Sequence, residues 1–86
     1  MRVYKYQFEI KDGRQYQRIH KGGKILSTHM QGRYLCAWAL VDPHELPESR
    51  TFFVFGTGQG IKPGLEFVGT VMHGDFVWHL FEEPSS

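Results

Sequence analysis

The strict two-residue alternation over residues 2–10 limits what this chain can become more than any other feature. Tyr4, Tyr6, Phe8 and Ile10 fall on one side, and Val3, Lys5, Gln7 and Glu9 on the other. A period of two is the signature of a half-buried strand. Elsewhere no stretch carries apolar residues at i, i+3, i+4 and i+7 across three turns with caps, so helices have no foothold. Asp12-Gly13 follows the first strand and predicts a tight hairpin. Arg14–His20 reads as a more polar, edge-type strand, broken by Lys21-Gly22-Gly23-Lys24. Ile25–Gln31 resumes the extended pattern up to a turn at Gly32-Arg33.

Tyr34–Asp42 is apolar at almost every position, and its bounding turns and β-branched and aromatic residues favour a buried strand over a short helix. Pro43–Ser49, with two prolines, predicts a surface loop. Arg50–Phe55 is the next strand, and Gly56–Gly64 a long loop. Leu65–His73 and Phe76–Glu82 predict a last hairpin around Gly74-Asp75, ahead of a short tail, Pro84-Ser85-Ser86. The expected fold is a single all-β domain over residues 1–83, a small antiparallel barrel or sandwich of six or seven short strands.

With 86 residues, this chain sits near the small end of what folds unaided, and its thirteen aromatics partly offset the small core. A formal charge of +1 provides no basic field for duplex nucleic acid or an anionic membrane. The first residues, Met1-Arg2-Val3-Tyr4-Lys5, lack the apolar core of a signal peptide, and no apolar run approaches the ~20 residues of a membrane helix. One cysteine, Cys36, suits a reducing compartment. A cytosolic domain is expected.

The later strands are apolar on both faces: Leu35, Ala37, Ala39 and Val41 against Cys36, Trp38 and Leu40, and Phe53 and Phe55 against Phe52 and Val54. Phe76, Trp78 and Leu80 likewise oppose Val77 and Phe81. An antiparallel sheet in a small monomer has one wet face. The surplus apolar face therefore predicts a homo-oligomer interface, with a curled barrel covering both faces as the alternative.

Catalytic and metal chemistry find little support. The five histidines, His20, His29, His44, His73 and His79, show no helical i, i+4 pair. His73 and His79 flank the last turn, and two ligands alone make a weak site. Cys36 lies mid-strand, as an inert thiol does. Ser27 and Thr28 neighbour His29 only in sequence, and Asp42, Glu45 and Glu48 fall in or beside a loop. The expectation is a protein without catalytic residues, metal or cofactor.

Gly56-Thr57-Gly58-Gln59-Gly60 is the candidate binding loop. Alternating glycines expose backbone N–H groups, and Thr57 adds a hydroxyl, a combination suited to phosphate or carboxylate. Neither a Walker ending nor a strand–turn–helix dinucleotide context is present. Arg50 is the candidate anion ligand; Tyr34, Trp38 and Trp78 are candidate stacking partners for a base. His79 is either a hydrogen-bonding group of the aromatic cluster or part of the site. The structural alternative makes the glycines a turn and pairs Arg50 with Glu48 or Glu66.

Several blocks taken together, Trp38–Pro43, Arg50-Thr51-Phe52, Phe55–Gly58, Ile61, Val68-Gly69-Thr70 and Phe76–His79, resemble a family of short phage, prophage and bacterial proteins known only as a domain of unknown function. The resemblance covers almost the whole chain from Arg-Val-Tyr-Lys-Tyr onward, and departs mainly within Arg14–His29. It carries over no catalytic residues. It implies a non-catalytic phage-type protein in the host cytoplasm that counters host defence by sequestering a small anionic, cyclic nucleotide signal at an oligomer interface. Direct inhibition of a host protein through an apolar patch, or a structural accessory role, are the other readings.

Overall fold

The computed structural model describes residues 1–85. All regular structure in them is strand: β1 (Arg2–Glu9), β2 (Gln15–His20), β3 (Lys24–Gln31), β4 (Tyr34–Val41), β5 (Pro47–Gly56), β6 (Glu66–His73) and β7 (Phe76–Glu82). They form two antiparallel sheets, β1-β4-β3 and β2-β5-β7-β6, packed as an open sandwich rather than a closed barrel. The expected all-β fold is present. Of the C-terminal tail, Ser86 lies outside the described residues.

The core comes from one face of each sheet. Phe8, Leu35, Ala37, Ala39 and Val41 point inward from the three-stranded layer; Ile19, Phe52, Val54, Val71 and Leu80 answer from the four-stranded one. Phe8 and Phe52 meet edge to face across the layers, centroids 4.8 Å apart, a preferred aromatic geometry.

Asp12-Gly13 does turn the chain, with Gly13 at φ 93°, yet β1 and β2 do not pair. Instead β1 pairs with β4, from Arg2↔Val41 to Glu9↔Tyr34, and β2 pairs with β5. Phe8 and Ile19 must both reach the core, and they do so from opposite layers, so the expected hairpin becomes a crossover. The Pro43–Ser49 loop is also shorter than expected. Strand β5 begins at Pro47, opposite His20, and Leu46 O accepts a hydrogen bond from Lys21 N at 2.9 Å. A proline at the first residue of a strand costs no ladder bond. The turns at Gly32 and Gly74 close true hairpins, β3–β4 and β6–β7.

Side chains close the two lateral seams between the sheets. On one side, the Gln15 amide donates to Glu9 O (2.7 Å) and accepts from Glu9 N (2.9 Å), and Gln17 Nε2 donates to Gln7 O (2.6 Å). These amides satisfy edge groups of β1 that no neighbouring strand reaches. On the other side, β3 packs on β6 where a bulge separates Phe67 from Gly69. A Cβ at Gly69 would collide with the Thr28 side chain, so only glycine permits this approach.

The doubly apolar strands resolve differently in the two layers. Cys36 points away from the core but has no exposed surface. Lys5 Nζ and Gln31 Oε1, from the flanking strands, bond at 3.0 Å, and the thiol lies 4.0 Å from that same oxygen. On the four-stranded layer the outward face carries a phenylalanine ladder. Phe53–Phe55, Phe55–Phe81 and Phe81–Phe67 have centroids 6.1, 5.6 and 5.6 Å apart. Arg14 and Lys62 lie over the Phe53 ring.

Candidate functional site

Arg50 does not stand ready for an anion. Its Nε and Nη2 donate to the two carboxylate oxygens of Glu82 at 2.5 and 2.7 Å, and Nη1 donates to Gly23 O at 2.6 Å. The partner is thus Glu82, not Glu48 or Glu66. That bidentate bond holds the guanidinium above its ordinary value, against burial, which lowers it. Glu48, Glu66, Glu82 and Glu83 line the small hollow beside it, a field that repels phosphate. Arg50 ties β5 to β7 and to the β2–β3 connection.

The glycine loop begins six residues further along β5, about 20 Å away at ~3.3 Å per strand residue. Its polar groups bond largely to one another. Gln59 Oε1 accepts from Gly56 N (3.0 Å), Gly56 O accepts from Gln59 N (3.1 Å), and Gln59 Nε2 donates to Asp12 Oδ1 (3.2 Å). Only Gly58 has a left-handed backbone, at φ 88°. Gly56 serves a different end: a Cβ there would lie 3.1 Å from Trp78 Cζ3, so its absence lets the indole rest against β5. Thr57 Oγ1 lies 2.9 Å from His79 Nε2, and Thr70 Oγ1 lies 3.0 Å from His79 Nδ1. His79 is therefore a bridge joining the loop to β6 on the outward face.

The three candidate stacking residues part company. Trp38 lies on the outward face of β4, in register with Lys5 and Ser27. Tyr34 is four residues before it, about 13 Å along the strand, and lines a cleft that Trp78 also lines. This cleft, about 530 Å³, opens at the end of the sandwich where the β3–β4 and β6–β7 turns meet the end of β1. Ile10, Tyr34, Phe76 and Trp78 supply its apolar walls, and Lys11 and Arg33 its cationic side, with His73 also in the lining. Phe76 and Trp78, two apart on β7 and so on one face, stack with centroids 6.2 Å apart at 27°.

The charges in the cleft are not equivalent. Lys11 is paired with Glu9 at 3.0 Å. Arg33 has no carboxylate partner among the described residues. It lies 5.1 Å over the Tyr34 ring and donates from Nη2 to the Tyr34 hydroxyl at 3.0 Å. That hydrogen bond holds the guanidinium above its ordinary value. Sequence reasoning missed Arg33, Lys11, His73 and Phe76. The signals were an arginine in a hairpin turn beside a tyrosine, and Phe76 sharing the parity of Trp78.

A second cleft of about 520 Å³ shares Phe76 and Trp78 with the first, and is lined by Gly56, Thr57, Gln59, Asp75 and Val77 as well. The structure thus gathers Tyr34, Trp78 and the glycine loop around one stack, with His79 tied to the loop through Thr57, and leaves Arg50 and Trp38 elsewhere.

No curated protein and no solved structure matches this chain. The family model of a domain of unknown function, DUF7352, matches residues 1–86. The chain belongs to that family.

Proposed function

We propose that the protein binds a small nucleotide in the end cleft and captures it without converting it. The observation that carries this reading is the un-neutralised Arg33 guanidinium, stacked on Tyr34 at the mouth of a cleft walled by Phe76 and Trp78. A ring needs a flat aromatic face and a phosphate needs a planar cation, and this cleft provides both. In a phage-type protein that chemistry serves sequestration of a host nucleotide signal. The anion contact falls to Arg33 instead of Arg50.

Titration of the full chain with nucleoside monophosphates and cyclic nucleotides, read by calorimetry, tests the proposal. Arg33 and Phe76 are both exposed, so their substitution leaves the fold in place. Phe76→Ala should weaken binding about 5- to 150-fold, the range for one base–aromatic stack of ~1–3 kcal/mol. Arg33→Ala should weaken it about tenfold. Unchanged affinity in both variants, or no binding of any nucleotide at millimolar concentration, refutes the reading.

A second reading rests on the phenylalanine ladder, whose Phe67 is 61% exposed. Such a face fits a protein surface, either a host protein or a second copy of this chain. Native mass spectrometry of the wild type and of Phe67→Ser separates these: a dimer lost on substitution supports the second copy, and a monomer in both removes it.

A further inference from the structure

We infer that the two clefts that share the Phe76–Trp78 stack form one bipartite site for a guanine-containing dinucleotide, with the phosphates beside Arg33 and the second base beside Asp75. This inference rests on the nucleotide reading above and goes beyond it in naming two bases and one base edge.

The clefts are close in size, about 530 and 520 Å³, and each falls within the range of small-ligand pockets. They share both rings of the stack, so one ligand can reach from one cleft into the other along it. Their charges differ in sign. The first holds the unpaired Arg33, with Lys11 and Glu9 spent on each other. The second holds no cation, and its one ionisable group is Asp75. Phosphate belongs in the first and is repelled from the second.

What suits the second cleft is a flat group with adjacent N–H donors. A carboxylate is acceptor-only and takes two parallel N–H bonds. Thr57 and Gln59 are engaged with His79 and Asp12, so Asp75 is the side chain left to read an incoming base edge. Asp75 makes no ion pair among the described residues. The Watson–Crick edge of guanine presents a ring N–H beside an amino group, which adenine does not. A ligand with a second guanine gains this contact in addition to everything a mononucleotide obtains in the first cleft.

Calorimetry on the full chain with GMP, linear pGpG, cyclic diguanylate and linear pApA tests this, together with the exposed-site variant Asp75→Asn. Either diguanylate, linear or cyclic, should bind at least tenfold more tightly than GMP and than pApA, and the tighter of the two shows which form the site accepts. Asp75→Asn should remove that advantage while leaving GMP affinity unchanged. If GMP binds but neither diguanylate binds more tightly, the bipartite site is refuted and the end-cleft proposal stands. An advantage that survives in Asp75→Asn also overturns the assignment of Asp75. Failure of GMP and both diguanylates to bind refutes the nucleotide reading itself.

Discussion

Replacing Arg50 with Met leaves most of the aliphatic stem and removes the guanidinium, whose carbon lies 5.8 Å over the Phe52 ring. Glu82 is then a carboxylate in a site where its side chain is only 11% exposed, with no cation beside it. Breaking a buried pair from one side costs about 3–5 kcal/mol. Arg50 and Glu82 keep 18% and 11% of their side-chain surface, and the water that reaches them reduces the loss to about 2–4 kcal/mol. In a domain this small each kcal/mol moves the melting temperature by about 4–8 °C, so Arg50→Met should melt roughly 8–32 °C below wild type. Calorimetric or circular-dichroism melting measures this directly. The double variant Arg50→Met, Glu82→Leu should recover most of the loss, because an apolar pair of similar volume replaces a buried ion pair at little cost. Below its melting temperature, Arg50→Met should keep wild-type nucleotide affinity. A melting temperature within about 3 °C of wild type, well inside the ~4–8 °C expected per kcal/mol, would show that the pair stabilises little. A folded Arg50→Met that has lost its ligand would return Arg50 to the binding site and sink the assignment to Arg33.

Two further outcomes follow from local geometry. Gly58→Ala should cost about 1 kcal/mol, because a Cβ is strained at φ 88°. Gly60→Ala, with ordinary φ and nothing within 4 Å, should be neutral or slightly stabilising; equal losses in thermal melts of the two would contradict this division of the loop. Burial, then the neighbouring Tyr4, hold the Tyr6 phenol above its ordinary value. The folded state therefore keeps a proton that the unfolded chain releases, and stability that is flat below pH ~10 falls as the pH rises past it. Tyr6→Phe should flatten that alkaline limb in melts taken between pH 8 and 11, and an unaltered limb would remove Tyr6 as its source.

The strands were legible because their information is local. Alternation marks β1, and the Gly32 and Gly74 turns mark hairpins whose partners are adjacent in sequence. Strand partners further apart were not legible. Asp12-Gly13 encodes a turn but not its destination, and β1 goes to β4 because an apolar central strand lies there to receive it. Arg50 shows the same limit at the level of one side chain. Its nearby acids, Glu48 and Glu66, suggested themselves, while its partner Glu82 lies 32 residues away and is set by the β5–β7 register. The site was half legible for a related reason. Tyr34, Trp78 and the loop glycines announce themselves by type, whereas Arg33 gains its significance only when two hairpin ends meet.

The crossover after β1 has a consequence for the order of events in folding. Arg2 finds its partner in Val41, and Gln15 in Phe52. The hairpins β3–β4 and β6–β7 need only short loops to close, so they are the expected early structures, while β1 must wait for a long loop. On a ribosome β1 emerges first and is paired late. Until Val41 has left the exit tunnel, Tyr4, Tyr6 and Phe8 travel as an unpaired aromatic strand, the kind of segment that chaperones hold and that aggregates when they do not.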